Sequence, residues 1–362
     1  MSDRPEFTVE YLEPPVAIEA EPLPEDFSSS RLRRSLLIVG ALVVVVVAAI
    51  VLIPGLGSLR ENFQGAQAGW LVFAAVLQLG SCASYVLVFR GVFCRRMSWR
   101  TSSEIGMSEL AANSVLSVGG AGGLALGAWI LRRGGLAADF IARRTVAFFL
   151  ITSLANVTFL ALGGIALATR ILDGAPSRWL GAIPAFGALF VIVLALGASR
   201  LVRRFDRAQF LADGVDEAVR LLRKRDPAIL FGAAGYMLFD VAMLGVCFIA
   251  FGNDVPPVGV LLVAYIIGQL GGLIPIPGGF GGVDGGLIGT LVIYGVDAGD
   301  AAVAVIAYRG LLLAIPALLG LPALAVLRRR LSSEAHDIAM CAPGQSVEVL
   351  GRGLVERPAT AG

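Results

Sequence analysis

Three ionisable side chains lie inside stretches that are otherwise almost wholly apolar: Asp240, Asp284 and Arg309. A charge at the centre of a bilayer costs at least about 2.5 kcal/mol, so such a residue usually faces a partner or a wet cavity. A guanidinium holds phosphate in a two-pronged hydrogen-bonded fork, which makes Arg309 the candidate grip for an anion. Snorkelling outward, or a permanent structural pair with Asp284 or Asp240, is the alternative for Arg309. Asp284 sits where a helix N-cap belongs, and its other reading, like that of Asp240, is a proton or charge relay.

Next to Asp284 runs Ile274-Pro275-Ile276-Pro277-Gly278-Gly279-Phe280-Gly281-Gly282-Val283, with apolar sequence on both sides. Prolines and glycines at this density would wreck a lipid-facing helix. Irregular backbone at membrane depth must be sheltered by protein or line a cavity. A second glycine cluster, Gly119-Gly120-Ala121-Gly122-Gly123, lies in the first half of the chain.

Helices starting just after these clusters, near Leu124 and Val283, would aim unpaired N–H groups and a positive dipole end into the membrane, a setting that attracts anions. The substrate-binding candidates are therefore Gly119, Gly120, Gly122, Gly123, Pro277, Gly278, Gly279, Gly281 and Gly282, with Arg309, Asn113 and Tyr308. The alternative is that the glycines serve only tight turning and close helix packing. Asn113, Gln78, Gln269, Asn156 and Tyr308 could likewise be helix–helix glue.

The composition says which elements must position these groups. The 362 residues are 57% hydrophobic and 15% charged, with a mean hydropathy of +0.81, which predicts a polytopic all-α membrane protein. The 4 cysteines, Cys82, Cys94, Cys247 and Cys341, form no CxxC and suggest neither a disulfide framework nor a zinc site. His336 is the only histidine and lies in a polar tail, which excludes a Ser-His-Asp triad or a His-rich metal centre in the membrane. No metal or cofactor is expected, and no nucleic-acid partner.

Residues 1–34 read as an acidic, Pro-rich disordered tail, residues 35–330 as the transmembrane domain and residues 331–362 as a second disordered tail. Arg31, Arg33 and Arg34 precede the first apolar run, Ser35–Ile53, and place the N-terminus in the cytoplasm. Further full spans are predicted over Trp70–Phe89, Thr145–Ala168, Trp179–Gly197, Ala228–Phe251 and Ala301–Leu327. Two broken segments remain. The limbs Ile105–Val118 and Leu124–Leu131 are each too short to span, and Arg132, Arg133, Arg143 and Arg144 would be external if they crossed as one, so a re-entrant hairpin is expected. Residues 258–295 are either two short full spans or a second hairpin, which the charge count alone does not separate and the internal repeat decides for the hairpin. Both termini then lie in the cytoplasm. The loop Arg200–Arg225 holds the richest basic patch, and Phe210, Val215, Val219 and Leu222 recur near helical spacing. It is either an ordinary positive-inside loop or, in part, an amphipathic helix on the anionic inner leaflet.

The two tips share the pattern GGxGG at an offset of 159 residues, and the same offset carries Trp70–Phe89 and Thr145–Ala168 into the fifth and sixth spans. Repeat A covers about residues 70–169 and repeat B about 228–328. The one extra span between them, Trp179–Gly197, makes the second copy point the opposite way: an inverted-topology repeat with discontinuous helices.

Residues 274–284, followed by Tyr308-Arg309, resemble the P-x-P-G-G-x-G-x-x-E and later (Y)R signature of the lysylphosphatidylglycerol synthase transmembrane family, the flippase-like membrane domain. Asn113 through Gly123 resembles its first-half N-x-x-x-P-x-G-G-x-G-G. The similarity extends over roughly residues 35–330. Asp284 stands where the family usually has Glu, and Ser117 stands where it has Pro. Many members also carry a Glu and an Arg just after the first tip, where this chain has Leu124 and Gly127. The resemblance implies a flippase-like transporter, not an enzyme, moving phosphatidylglycerol derivatives or polyprenyl-phosphate-linked lipids across a bacterial cytoplasmic membrane. No aminoacyl-transferase domain is expected in the tail. Membrane lipids are the expected partners, with a homodimer and cell-envelope biosynthetic enzymes as further candidates. The competing expectations are a secondary transporter of a small soluble anion and a scaffold for a cell-envelope glycosyltransferase.

Overall fold

The computed structural model describes residues 65–115, 121–202, 209–273, 279, 281–339 and 341. The first predicted span, the terminal tails outside these limits, and Gly119, Gly120, Pro277 and Gly278 lie outside the described residues. Among the described residues ten α-helices follow one another: α1 (Ala68–Phe93), α2 (Trp99–Val115), α3 (Ala121–Arg133), α4 (Ala138–Ala168), α5 (Arg178–Val202), α6 (Gln209–Arg223), α7 (Pro227–Ala250), α8 (Val258–Leu270), α9 (Gly282–Ile293) and α10 (Ala298–Ala339). A 3-10 turn, Gly271–Leu273, extends α8. Among the described residues α1, α4, α7 and the Ala298–Leu327 part of α10 are long and apolar enough to cross a membrane. The chain is a multi-pass α-helical membrane protein. The predicted span Trp179–Gly197 falls within α5, a 25-residue helix.

The repeat is visible in the helix limits. Shifted by 159 residues, α1 to α4 fall on 227–252, 258–274, 280–292 and 297–327, within two or three residues of α7, of α8 with its 3-10 turn, of α9 and of the apolar part of α10. The two copies meet along α1 and α7, where small residues let the backbones approach. A Cβ on Gly232 would stand 2.7 Å from the Val88 amide nitrogen.

Local chemistry sets the helix ends. Asp226 caps α7 by accepting the Ala228 N–H at 3.0 Å, and Pro227 occupies the first turn, where its missing N–H costs nothing. The paired helices α2–α3 and α8–α9 have limbs of 17, 13, 13 and 12 residues. Each limb is shorter than the roughly 20 residues a spanning helix needs.

Each short pair sits in its own apolar cluster. Ile105, Leu110, Leu126, Trp129 and Ile130 of the first pair pack with Val88, Phe89, Phe148, Leu221, Ile229 and Leu327. Tyr265, Ile266, Val283, Leu287 and Leu291 of the second pack with Ala74, Met237, Leu244, Val305 and Tyr308. Helices α1, α4, α7 and α10 contribute to both clusters, each with a different end.

Three features differ from the sequence reading. Helix α10 runs on to Ala339 instead of stopping at Arg330, and Ile338 is fully buried over Gly134. Cys94, after α1, forms a disulfide with Cys341, just past α10, with Cα atoms 5.6 Å apart. The scattered spacing of the cysteines predicted no such bond; chain closure across 247 residues brings the two together. The amphipathic helix in the basic loop exists as α6, but Ala212, Gly214, Ala218 and Leu221 turn its small-residue face toward the protein, with Gly214 against Val146 of α4. Arg144 of α4 pairs with Glu217 of α6 at 3.2 Å, so the docked face is fixed by charge as well as by shape.

Candidate functional site

Arg309 lies at the start of the fourth turn of α10 and is 6% exposed. Its Nε donates to Asp284 Oδ1 at 2.8 Å. The other carboxylate oxygen, Oδ2, accepts the Gly281 N–H at 2.9 Å, so Asp284 caps its own helix α9 while holding the arginine. The N-cap position expected for Asp284 belongs to Gly281; Asp284, three residues on, reaches back to the Gly281 N–H while pairing with Arg309. Of the two carboxylates open to Arg309 in sequence, Asp284 is the one it bonds.

The backbone beside this pair is the kind only glycine adopts cheaply. Gly279 and Gly281 have φ of +66° and +78°. A Cβ on Gly279 would lie 3.3 Å from Arg309 Nη2, so the guanidinium faces the tip of the hairpin at close range. Gly282 and Gly271 meet backbone to backbone, and a side chain at either would run into the other limb. A Cβ on Gly268 would meet the Leu287 side chain, so the end of α8 and the first two turns of α9 pack closely. Turning and packing thus account for several of the glycines named as substrate contacts, without excluding that role.

In the first pair the candidate Asn113 is committed to structure: its Oδ1 accepts the Gly123 N–H at 2.7 Å, joining α2 to the first turn of α3. Gly122 and Gly123 are buried there. Each second limb therefore has one of its early N–H groups already taken, by Asn113 in one pair and Asp284 in the other.

Asp240 is 1% exposed, in the middle of α7, and accepts a hydrogen bond from Tyr265 Oη of α8 at 3.0 Å. Ser81 of α1 bonds the Tyr236 carbonyl at 3.1 Å, one turn away. Asp240 Oδ1, Gln78 Oε1 and the Tyr308 hydroxyl are buried and have no hydrogen-bond partner among the described residues. Arg309 and Tyr308, adjacent in sequence, thus part company: the arginine serves the hairpin and the tyrosine is enclosed in the second cluster.

One polar group escaped the sequence reading. Glu109, in the middle of α2, is 1% exposed and accepts a hydrogen bond from Tyr85 Oη at 2.7 Å. Glu109 stood out less than Asp240 because its helix is mixed, with Arg100, Glu104, Ser108 and Asn113 beside it, so a charge there does not contrast with an apolar run. Among the described residues no group of three or more His, Cys, Asp and Glu side chains has the makings of a metal site.

None of the curated proteins matches this chain. Residues 37–320, which contain both short helix pairs, the Arg309–Asp284 pair, the spans α1, α4 and α7 and most of the apolar part of α10, match the family model described as the lysylphosphatidylglycerol synthase TM region. The chain belongs to the lysylphosphatidylglycerol synthase TM region family.

Proposed function

We propose that this protein is a flippase-like transporter that moves an anionic phospholipid or a polyprenyl-phosphate-linked lipid between the leaflets of a bacterial cytoplasmic membrane, with both termini in the cytoplasm. The observation that carries the reading is Arg309. It is a guanidinium enclosed beside a glycine-built hairpin tip and balanced by Asp284, a carboxylate that also sits on a helix N-terminus. A phosphate headgroup has the charge and the geometry to replace the carboxylate at both places, on the arginine fork and on the helix end. Asp284 then acts as the resident anion that keeps Arg309 compensated between transport events.

The short pairs α2–α3 and α8–α9 support two re-entrant hairpins, entered from opposite sides because the single long helix α5 separates the repeats. Exposed Trp179, Ile183, Phe186 and Phe190 give α5 an apolar flank suited to lipid, where the tail of a flipped molecule would remain. Asp240 is the candidate for coupling in the second repeat.

Leaflet exchange in proteoliposomes tests the reading, with labelled phosphatidylglycerol, lysyl-phosphatidylglycerol and a polyprenyl-phosphate sugar offered to wild type and to Arg309→Ala. Headgroup-selective exchange that Arg309→Ala abolishes is expected. A folded wild type that moves none of the three overturns lipid flipping and turns attention to a soluble anion or a scaffolding role.

A further inference from the structure

The acid of the first hairpin is built differently from that of the second. Asp284 has an arginine; Glu109 has a phenol. Tyr85 of α1, itself 4% exposed, donates to Glu109 Oε2 at 2.7 Å and stands edge-on to Phe148 of α4 and Tyr236 of α7, at 5.3 and 5.4 Å between ring centres. On its other side the carboxyl occupies the place a side chain at Gly127 of α3 would take. Residues Glu109 and Asn113, one turn apart on α2, thus face Gly123 and Gly127, one turn apart on α3, and the hairpin closes over the carboxyl.

Among the described residues the groups shown at this carboxyl are neutral. From α1 comes Tyr85, from α7 Tyr236 behind it, from α4 Phe148, from α3 Gly127, and α10 meets this part of α2 with Gly320 on Met107 and Ala111. The arginine nearest in sequence on α2, Arg100, is paired with Glu104 at 3.0 Å. No arginine or lysine among the described residues forms an ion pair with Glu109. An ionised carboxylate enclosed without a cation costs several kcal/mol, whereas a neutral carboxyl hydrogen-bonded to a hydroxyl costs little. The closed arrangement is one in which this group holds a proton.

We propose that Glu109 is a proton-binding site of the first hairpin, which makes lipid movement by this protein proton-coupled. When α2 and α3 part and water reaches the site, the carboxyl releases its proton to that side. It takes one up from the other side in the opposite state, and each uptake converts carboxylate and proton to carboxylic acid with no other group changed. Tyr85 is the positioning residue that keeps Oε2 bonded while the proton is held. The transport half of this proposal rests on the flippase reading; the proton site itself does not.

Two measurements on the purified full-length chain separate them. Infrared difference spectra of wild type against Glu109→Gln are expected to show a protonated-carboxyl stretch that the variant lacks, and Tyr85→Phe is expected to move that band to higher frequency. In proteoliposomes with an imposed pH gradient, one proton per lipid sets a leaflet ratio of about tenfold per pH unit in wild type. Glu109→Gln is expected to give no gradient-dependent ratio. Absence of the carboxyl band overturns the proton site, and a gradient response undiminished in Glu109→Gln overturns its coupling to lipid movement. A band present in a wild type that moves no lipid upholds the site and overturns the flippase reading instead. Should Glu109→Gln fail to fold, an unshifted band in Tyr85→Phe overturns the proposal by itself.

Discussion

Arg309 and Asp284, 25 residues apart on separate helices, are joined by a 2.8 Å hydrogen bond whose carboxylate simultaneously caps α9 through the Gly281 N–H. One side chain therefore sets both the start of the hairpin's second limb and the position of the cation beside its tip. The pair is mostly buried, with side chains 7% and 23% exposed.

Removing one partner leaves the other uncompensated, which for a buried pair costs about 3 to 5 kcal/mol. Arg309→Ala is expected to unfold at lower temperature than wild type in detergent. The double variant Arg309→Ala with Asp284→Asn, which removes the stranded charge and keeps a capping side chain, is expected to recover a large part of that loss. A double variant no more stable than Arg309→Ala alone argues against a stranded carboxylate.

The hairpin glycines divide into two groups by what a methyl would meet. Gly271, Gly282 and Gly127 face opposing backbone or the Glu109 carboxyl, whereas Gly285 and Gly289 have nothing within 4 Å. Alanine at any of the first three is expected to cost about 1 to 3 kcal/mol through overpacking, and alanine at the last two to be neutral or slightly stabilising in a helix. Melting temperatures of the five variants check the division.

The Cys94–Cys341 bond pins the end of α10 beside the start of α2, where Asp337 also accepts from Thr101 Oγ1 at 2.6 Å and from the Ser98 N–H at 3.1 Å. Cross-links closing long loops contribute about 2 to 4 kcal/mol. Cys341→Ser is expected to lower the unfolding temperature, and alkylation before and after reduction, read by peptide mass, is expected to show Cys94 and Cys341 protected only before. Equal labelling in both conditions counts against the bond.

Tyr265→Phe takes from Asp240 the hydroxyl bonded at 3.0 Å and leaves a carboxyl enclosed with less support. A loss of about 1 to 3 kcal/mol is expected, as for a buried polar group deprived of its partner. Tyr265→Phe in an Asp240→Leu background is expected to cost much less, since no carboxyl is left to satisfy. The double-mutant cycle, measured by thermal unfolding, gives the coupling directly.

The repeat was legible because its signals are local: two glycine clusters and two pairs of apolar runs at one offset, which the helix limits reproduce to within a few residues. Arg309 and Asp284 were legible as charges in apolar sequence, but the partner of the arginine was left between two carboxylates, because which side chains meet depends on helix rotation. Glu109 shows the limit more sharply. An acidic residue was sought on the second limb after the first tip, at Leu124 and Gly127, whereas its carboxyl reaches the space at Gly127 from the opposite limb. Linear register carries no information on which of two facing strands of chain fills a shared gap. The same holds for Cys94 and Cys341, whose pairing needs the whole bundle to close first.

Helix α10 touches both hairpins: Arg309 holds the start of α9, and Gly320 lies against the Met107 carbonyl and Ala111 of α2. Pro316, between these two contacts, removes a helical hydrogen bond and crowds the carbonyl four residues back, so the helix bends there more readily than elsewhere. Its far end is tethered by Asp337 and Cys341. A beam that bears on both short pairs and is jointed between its two bearings lets one arm shift while the other stays seated, so each pair keeps its own contact with the same helix.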